Sequence, residues 1–226
     1  MSQDLRAFLK LLEERAPGEL LRVSRPLKQE YEVTALVFEL ERRGESPAII
    51  FEGLQGSAMP LLTNLYGSRK RLALALGVDE GELLEGWLKR EELLTPPRIL
   101  KEGPILEEVL LGEDADLFSL PILTHFEEDA GPYITAGVLV AKDPDTGTIN
   151  GSFHRLQLKG ARTLGVSLHS RRHLWNYQQR AEARGENLPV AVVLGSHPLF
   201  QLGAGLWKGD IGRMNTMWPG AFWESP

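Results

Sequence analysis

The chain is 226 residues long, 42% hydrophobic and 25% charged, enough to bury a real core as one large domain or two small ones. A formal net charge of -6 works against attraction to phosphate backbones or anionic lipid, so nucleic acid is not an expected partner, while peripheral membrane contact stays open. Cysteine is absent, which excludes disulfides, thiolate nucleophiles and sulfur-ligated zinc or iron–sulfur centres and leaves oxygen and imidazole as the only metal donors.

Leu5, Phe8, Leu9, Leu11 and Leu12 recur at helical spacing before Pro17-Gly18, predicting a helix over about 3–15. Leu20 to Val23 reads as a short strand. Val33, Leu36, Val37 and Leu40 define one face of a helix over 31–43 that ends at Gly44, and Ala48 to Phe51 is a compact apolar strand. A further strand is expected over Leu61 to Tyr66. A short helix over Arg69 to Leu76, closed by Gly77, should follow, then a helix over Glu80 to Leu94 stopped by Pro96-Pro97. No apolar run approaches the roughly 18 residues that span a bilayer, and the cytoplasm is the expected location.

Past a boundary near 95–115 the pattern changes. Tyr133 to Ala141 and Thr148 to Lys159 are strand-like runs joined by the turn-forming Asp143-Pro144-Asp145-Thr146-Gly147. Thr163 to Leu168 predicts a third strand, Arg172 to Arg184 a helix ending near Gly185, and Pro189 to Leu194 a buried strand. Together these suggest a mostly antiparallel sheet or barrel with inserted helices. The tail from Gly203 holds Trp207, Trp218 and Trp223 and shows no clear periodicity.

The densest polar cluster is Asn150, Ser152, His154, Arg155 and Gln157, all in one predicted strand. Asn150, Ser152 and His154 share one parity while Arg155 and Gln157 share the other, so both faces need polar company. Either the strand is an exposed edge, or a bulge at or near Gly151 shifts the parity and aims Asn150 and Arg155 into one pocket. A second cluster, His169, Arg171, Arg172 and His173, lies where a strand gives way to a helix, a place that favours phosphate or carboxylate; simple solvation accounts for it equally. Arg69 to Arg71 is the other basic patch. Gly203-Ala204-Gly205 lacks the Gly-Lys-Ser/Thr ending of a phosphate loop and reads as close packing. His125 and His197 read as solvated or core-satisfied, and Glu127-Glu128 as a solvated loop.

The run Asp129-Ala130-Gly131-Pro132-Tyr133-Ile134-Thr135, with Asp143-Pro144, Asn150-Gly151-Ser152-Phe153-His154-Arg155-Leu156-Gln157 and Leu188-Pro189-Val190-Ala191-Val192-Val193-Leu194-Gly195, resembles the UbiD family of decarboxylases. Phe51-Glu52-Gly53-Leu54 and Thr63-Asn64-Leu65-Tyr66-Gly67-Ser68-Arg69 resemble its opening domain, so the likeness covers nearly the whole chain. It implies an α+β fold, with an N-terminal α/β domain over 1–105 and part of a split β-barrel flavin-binding domain over 106–226. The implied activity is reversible decarboxylation of an aromatic or α,β-unsaturated acid, such as the hydroxybenzoate-type precursors of ubiquinone biosynthesis. Implied cofactors are prenylated FMN, a divalent Mn2+ or Mg2+ and K+.

By the same resemblance, Asn150 and His173 match metal ligands, with His169 an alternative for the imidazole. Ser152, Phe153, His154 and Arg172 match cofactor-binding positions, and Arg155 matches the catalytic Arg beside the substrate carboxylate and flavin. The family's ligand Glu should fall near Met214 and Asn215, where none stands, and its proton-transferring acids lie beyond Pro226. A chain that stops early, is catalytically silent, or needs a homo-oligomeric or partner subunit to bring the missing acids is therefore a second expectation. A ligand-binding or interaction module without chemistry is a third.

Overall fold

A computed structural model describes residues 4–92, 101–170 and 172–205. The first region comprises α1 (Leu5–Arg15), β1 (Leu20–Val23), α2 (Glu32–Arg42), β2 (Ala48–Phe51), β3 (Leu61–Thr63), α3 (Arg69–Leu76) and α4 (Leu83–Glu91). Local chemistry explains the boundaries. Asp4 caps α1 by accepting the Ala7 amide at 2.8 Å, and Ser68 caps α3. At the other end of α3, Gly77 takes the left-handed conformation (φ 70°) that closes helices and that side chains resist. β3 stops at Thr63, short of the expected Tyr66, because Asn64 turns left-handed (φ 56°) and its amide donates to the Pro47 carbonyl at 2.9 Å.

β1 and β2 pair parallel across α2, and β2 and β3 pair antiparallel, which puts β2 in the centre. Successive β2 residues face opposite layers, so all four are buried. Ala48 packs with Phe8 and Leu12 of α1, whereas Ile49 and Phe51 pack with Val33 of α2 and Leu54. Arg71, expected in a basic surface patch, is instead 1% exposed. It pairs with Glu19 at 2.6 Å and donates to the carbonyls of Leu65 and Asn64 at 3.0 and 2.9 Å. All that fork of donors holds is the chain's own backbone and one carboxylate, so the role is structural.

The second region contains β4 (Tyr133–Ile134), β5 (Val138–Lys142), β6 (Ile149–Phe153), β7 (Leu156–Gly160), β8 (Thr163–Val166), α5 (His173–Ala183), β9 (Val190–Val193) and α6 (Pro198–Ala204). Its strands form two antiparallel three-stranded sheets, ordered β4-β7-β8 and β6-β5-β9, and no closed barrel forms among the described residues. Each of the two long expected strands therefore breaks in two. The breaks face each other: Tyr133 and Ile134 pair with Gln157 and Leu156, the next pair is Val138 with Phe153, and between them three residues face two. One extra residue on one arm is the signature of a bulge, which bends and twists the hairpin. The parity shift thus falls on the 135–137 arm and not at Gly151, whose pairing with Val140 is regular. Gly137 sits in the corner, where a Cβ would come within 3.2 Å of Ile134 Cγ2.

α5 lays Leu174 and Tyr177 against Leu139 and Ala141 of β5 and Ile134 and Leu156 at the corner. On the opposite face α6 covers β6, with Ala204 beside Gly151 and Val138, so Gly203-Ala204-Gly205 serves close packing. Sequence reading gave no sign of α6, a seven-residue helix that starts at Pro198 and is capped by the His197 ring. β9, expected to be buried, is an edge strand among the described residues, with Val190 50% exposed. The two regions interlock. Leu123 enters the α2-side core of the first, Leu199 joins Ala73 and Leu76, and the Tyr66 hydroxyl donates to Gln201 at 2.8 Å.

Candidate functional site

Residues directly opposite on antiparallel strands share a face, so Asn150 and Ser152, opposite Ala141 and Leu139, lie on the side covered by α5. His173, the first residue of α5, brings its ring to that side. Its Nδ1 stands 3.3 Å from Asn150 Oδ1 although the two residues are 23 apart in sequence. Asn150 is 4% exposed. Its Nδ2 donates to Ser152 Oγ at 3.4 Å, and Ser152 Oγ is 2.9 Å from Nε2 of the buried His154. With the Asn150 amide donating to it, the Ser152 hydroxyl has its proton to give to a neutral His154. A row of four polar side chains results, turning the Asn150 carbonyl oxygen toward His173.

Both imidazoles are held neutral. Burial lowers the pKa of His173, and the charge of Arg172 adds to that; burial likewise lowers His154, against a hydrogen bond to the Ser167 backbone that raises it. A neutral imidazole keeps a lone pair for a metal, and an amide oxygen is a hard donor, so the pair suits a divalent ion of Mn2+ or Mg2+ character whose remaining ligands come from elsewhere. No cluster of three or more His, Asp or Glu side chains able to hold a metal occurs among the described residues. Positions 214 and 215 lie outside the described residues.

The other expected residues divide. His169 is exposed; its carbonyl accepts the Arg172 amide at 2.9 Å, and among the described residues its ring forms no hydrogen bond with Asn150. Arg172 is exposed at the start of α5, one residue from His173. Arg155 is exposed, just past the corner, and forms no hydrogen bond or ion pair with the described residues. Phe153 lies on the α6 face, its ring edge near Gly205, so the Phe153 side chain is separated by the sheet from Asn150. Arg171 lies outside the described residues. Two apolar grooves of about 310 and 280 Å3 also flank α6, sharing Trp87 and Leu202, and neither includes Asn150 or His173.

Sequence reading missed what aims α5. The tip of the β5–β6 hairpin carries Asp143, whose side chain is fully buried, and Asp145. Arg180 pairs with both and Arg184 pairs with Asp145, so the last turns of the helix are fastened to the hairpin that bears Asn150. The only signal was the charge pattern: two arginines at i and i+4 facing two aspartates two apart in a turn.

His197 and Phe8 meet edge to face at 5.5 Å, and the His197 Nδ1 accepts the Leu199 amide at 3.2 Å, so this histidine is satisfied in the core. Glu127 and Glu128 are exposed, as a solvated loop requires. No helix among the described residues is long and apolar enough to cross a membrane.

Comparison with known proteins bears on the same surfaces. Residues 10–91 match the 3-octaprenyl-4-hydroxybenzoate carboxy-lyase N-terminal domain, and residues 98–216 match the Rift-related domain of the same enzyme family, UbiD. Among solved structures, an evolved dimeric form of the UbiD-class enzyme HmfF from Pelotomaculum thermopropionicum, in complex with prFMN, is 35% identical with a TM-score of 0.89 over 100% of this chain and 51% of that one. The closed form of vanillic acid decarboxylase from Sedimentibacter hydroxybenzoicus is 28% identical, with a TM-score of 0.88 over 98% of this chain and 48% of that one. An uncharacterized protein of Aquifex aeolicus (strain VF5) is 34% identical over 87% of this chain and 44% of its own length. The chain spans about half the length of the relatives it matches. With one family model matched by each region and the fold shared throughout, the chain belongs to the UbiD family of carboxy-lyases.

Proposed function

We propose that this chain takes part in reversible decarboxylation of an aromatic or α,β-unsaturated carboxylic acid on prenylated FMN, with Asn150 and His173 holding a divalent Mn2+ or Mg2+ at the cofactor phosphate. The observation that carries the reading is the approach of the Asn150 amide oxygen to the His173 ring nitrogen, two donors from separate elements converging on one face. Prenylated flavin supplies an electron sink for the carbon that loses carbon dioxide. Around it, Ser152, His154 and the Phe153 backbone follow the cofactor, and Arg172 offers a cation to its phosphate. Arg155, exposed and uncommitted among the described residues, orients the substrate carboxylate through its two-pronged guanidinium. K+ belongs to the reading as the companion ion, without an assigned side chain. Residues 1–105 form the α/β domain and 106–226 part of the flavin-binding split barrel.

A second reading is favoured by Arg155 itself, which has no acidic partner among the described residues. In it, a homo-oligomer or partner subunit brings the carboxylates that exchange the proton. Lack of such groups costs about 10²- to 10⁴-fold in rate.

One experiment tests both. The chain is loaded with prenylated FMN, Mn2+ and K+, then followed by its flavin absorbance band and by carbon dioxide release from cinnamate- and hydroxybenzoate-type acids. Flavin binding with release supports the first reading, and flavin binding without release supports the second. Asn150→Ala is expected to weaken Mn2+ binding at least tenfold; retention of full Mn2+ affinity in that variant, or no flavin binding by the unaltered chain, overturns the assignment.

A further inference from the structure

We propose that the ion pairs between the hairpin tip and the end of α5, Asp143 with Arg180 and Asp145 with Arg184, are a positioning device that sets His173 against Asn150. The inference rests on the metal-holding role given above to those two residues.

The geometry is that of a lever fastened at its far end. α5 packs on the sheet through Leu174 and Tyr177, with Ala181 buried one turn further on, and an apolar stripe of this kind by itself tolerates small tilts. Rocking is checked by polar contacts at the last turns. Arg180 Nη1 donates to the buried Asp143 carboxylate and Arg180 Nε stands 3.5 Å from Asp145 Oδ2. Arg184 pairs with Asp145 through Nη2 and donates through Nη1 to the Pro144 carbonyl at 3.2 Å. The tip they grip is itself rigid: the Asp143 amide donates to the Thr148 carbonyl at 2.7 Å, the Gly147 amide to the Asp143 carbonyl at 2.9 Å, and the Asp145 amide to Asp143 Oδ1 at 3.0 Å. From that tip β6 leads directly to Asn150, so one grip fixes both ends of the His173–Asn150 pair in a single frame.

Magnitudes favour a precise role over general adhesion. From Ala181 to His173 is about 12 Å of helix, so a tilt of about 10° shifts the ring by about 2 Å. Metal–ligand distances tolerate only about 0.2 Å. Small slack at the far end is therefore large at the ligand.

The test uses the full chain and two readouts: the nuclear Overhauser contact between the His173 ring and the Asn150 side-chain amide, and Mn2+ affinity by electron paramagnetic resonance. In Asp143→Asn and Arg180→Gln the contact is expected to disappear and the Mn2+ Kd to rise about 10- to 100-fold, with the circular dichroism of the native chain retained. Arg180→Lys, which keeps the charge but loses the fork, should recover part of both. Should Asp143→Asn fail to fold, Asp145→Asn with Arg184→Gln, at exposed groups, is expected to raise the Kd by about fivefold or less and to weaken the contact measurably. An undiminished contact together with unchanged Mn2+ affinity in the folded variants overturns the proposal. If the unaltered chain shows the contact but binds no Mn2+, the metal reading fails while the positioning role is decided by the contact alone.

Discussion

The two regions solve the same problem by different means. In the first, a central strand is buried on both faces, with Ala48 against α1 and Ile49 and Phe51 against α2, all at 0% exposure. The second has a buried central strand too, β5, with Val138 at 0% and Leu139 and Ala141 at 3% exposure, but its surroundings are more open. Its sheets are three strands each, they part at a corner, and β9 leaves Val190 half exposed, so the helix over them is held at one end by charge. Apolar packing tolerates a little sliding, whereas a buried carboxylate must keep its guanidinium. In the region that carries the polar row Asn150, Ser152, His154 and His173, the seating of the helix over the sheet thus depends on directional contacts.

The contrast is sharpest at matched apolar positions. Phe51→Ala is expected to cost about 3–5 kcal/mol and Val190→Ala well under 1 kcal/mol, measured as shifts in the urea unfolding curve. Equal costs would erase the distinction between a closed core and an open edge. A smaller effect probes the seam between the regions. His197 is pushed down to about 4, chiefly by burial, against an unfolded value of about 6.5. Between those values the unfolded chain binds more protons than the folded one, so the stability contributed by neutral His197 is whole above about pH 6.5 and is lost as pH falls toward 4. The loss should reach up to about 3 kcal/mol, and His197→Asn, which keeps a helix-capping side chain, should flatten the pH dependence of the urea midpoint. Smaller than the His197 effect is that of Tyr66→Phe. It removes the hydroxyl whose pKa is raised by burial and which donates to Gln201, at an expected cost of about 1 kcal/mol in the same assay. A cost near zero would show that the seam is held by apolar contact alone.

Much of this was legible in the residues, for reasons that are local. Ser68 and Gly77 bracket α3, and Pro47 with the Ala-Ile-Ile-Phe run marks β2. The Asn150 and His173 match came from the family pattern, and the fold brings the two together. What stayed hidden depends on distant partners. Nothing near His154 says that two strands will break opposite each other, because the excess residue sits on the other arm of the hairpin, at 135–137. Val190 to Val193 reads as buried since apolar residues carry no record of whether a neighbouring strand covers them. Arg71 looks like surface charge until Glu19, 52 residues away, and two carbonyls surround it.

Tips of hairpins are ordinarily where a chain accepts added sequence, since little is anchored there. Here the turn from Asp143 to Thr148 is where the last turns of α5 are fastened, so a peptide tag grafted between Pro144 and Gly147 would unseat α5 and disturb His173 from a distance. For anyone labelling or splicing this protein, this solvent-facing turn is the wrong place to cut.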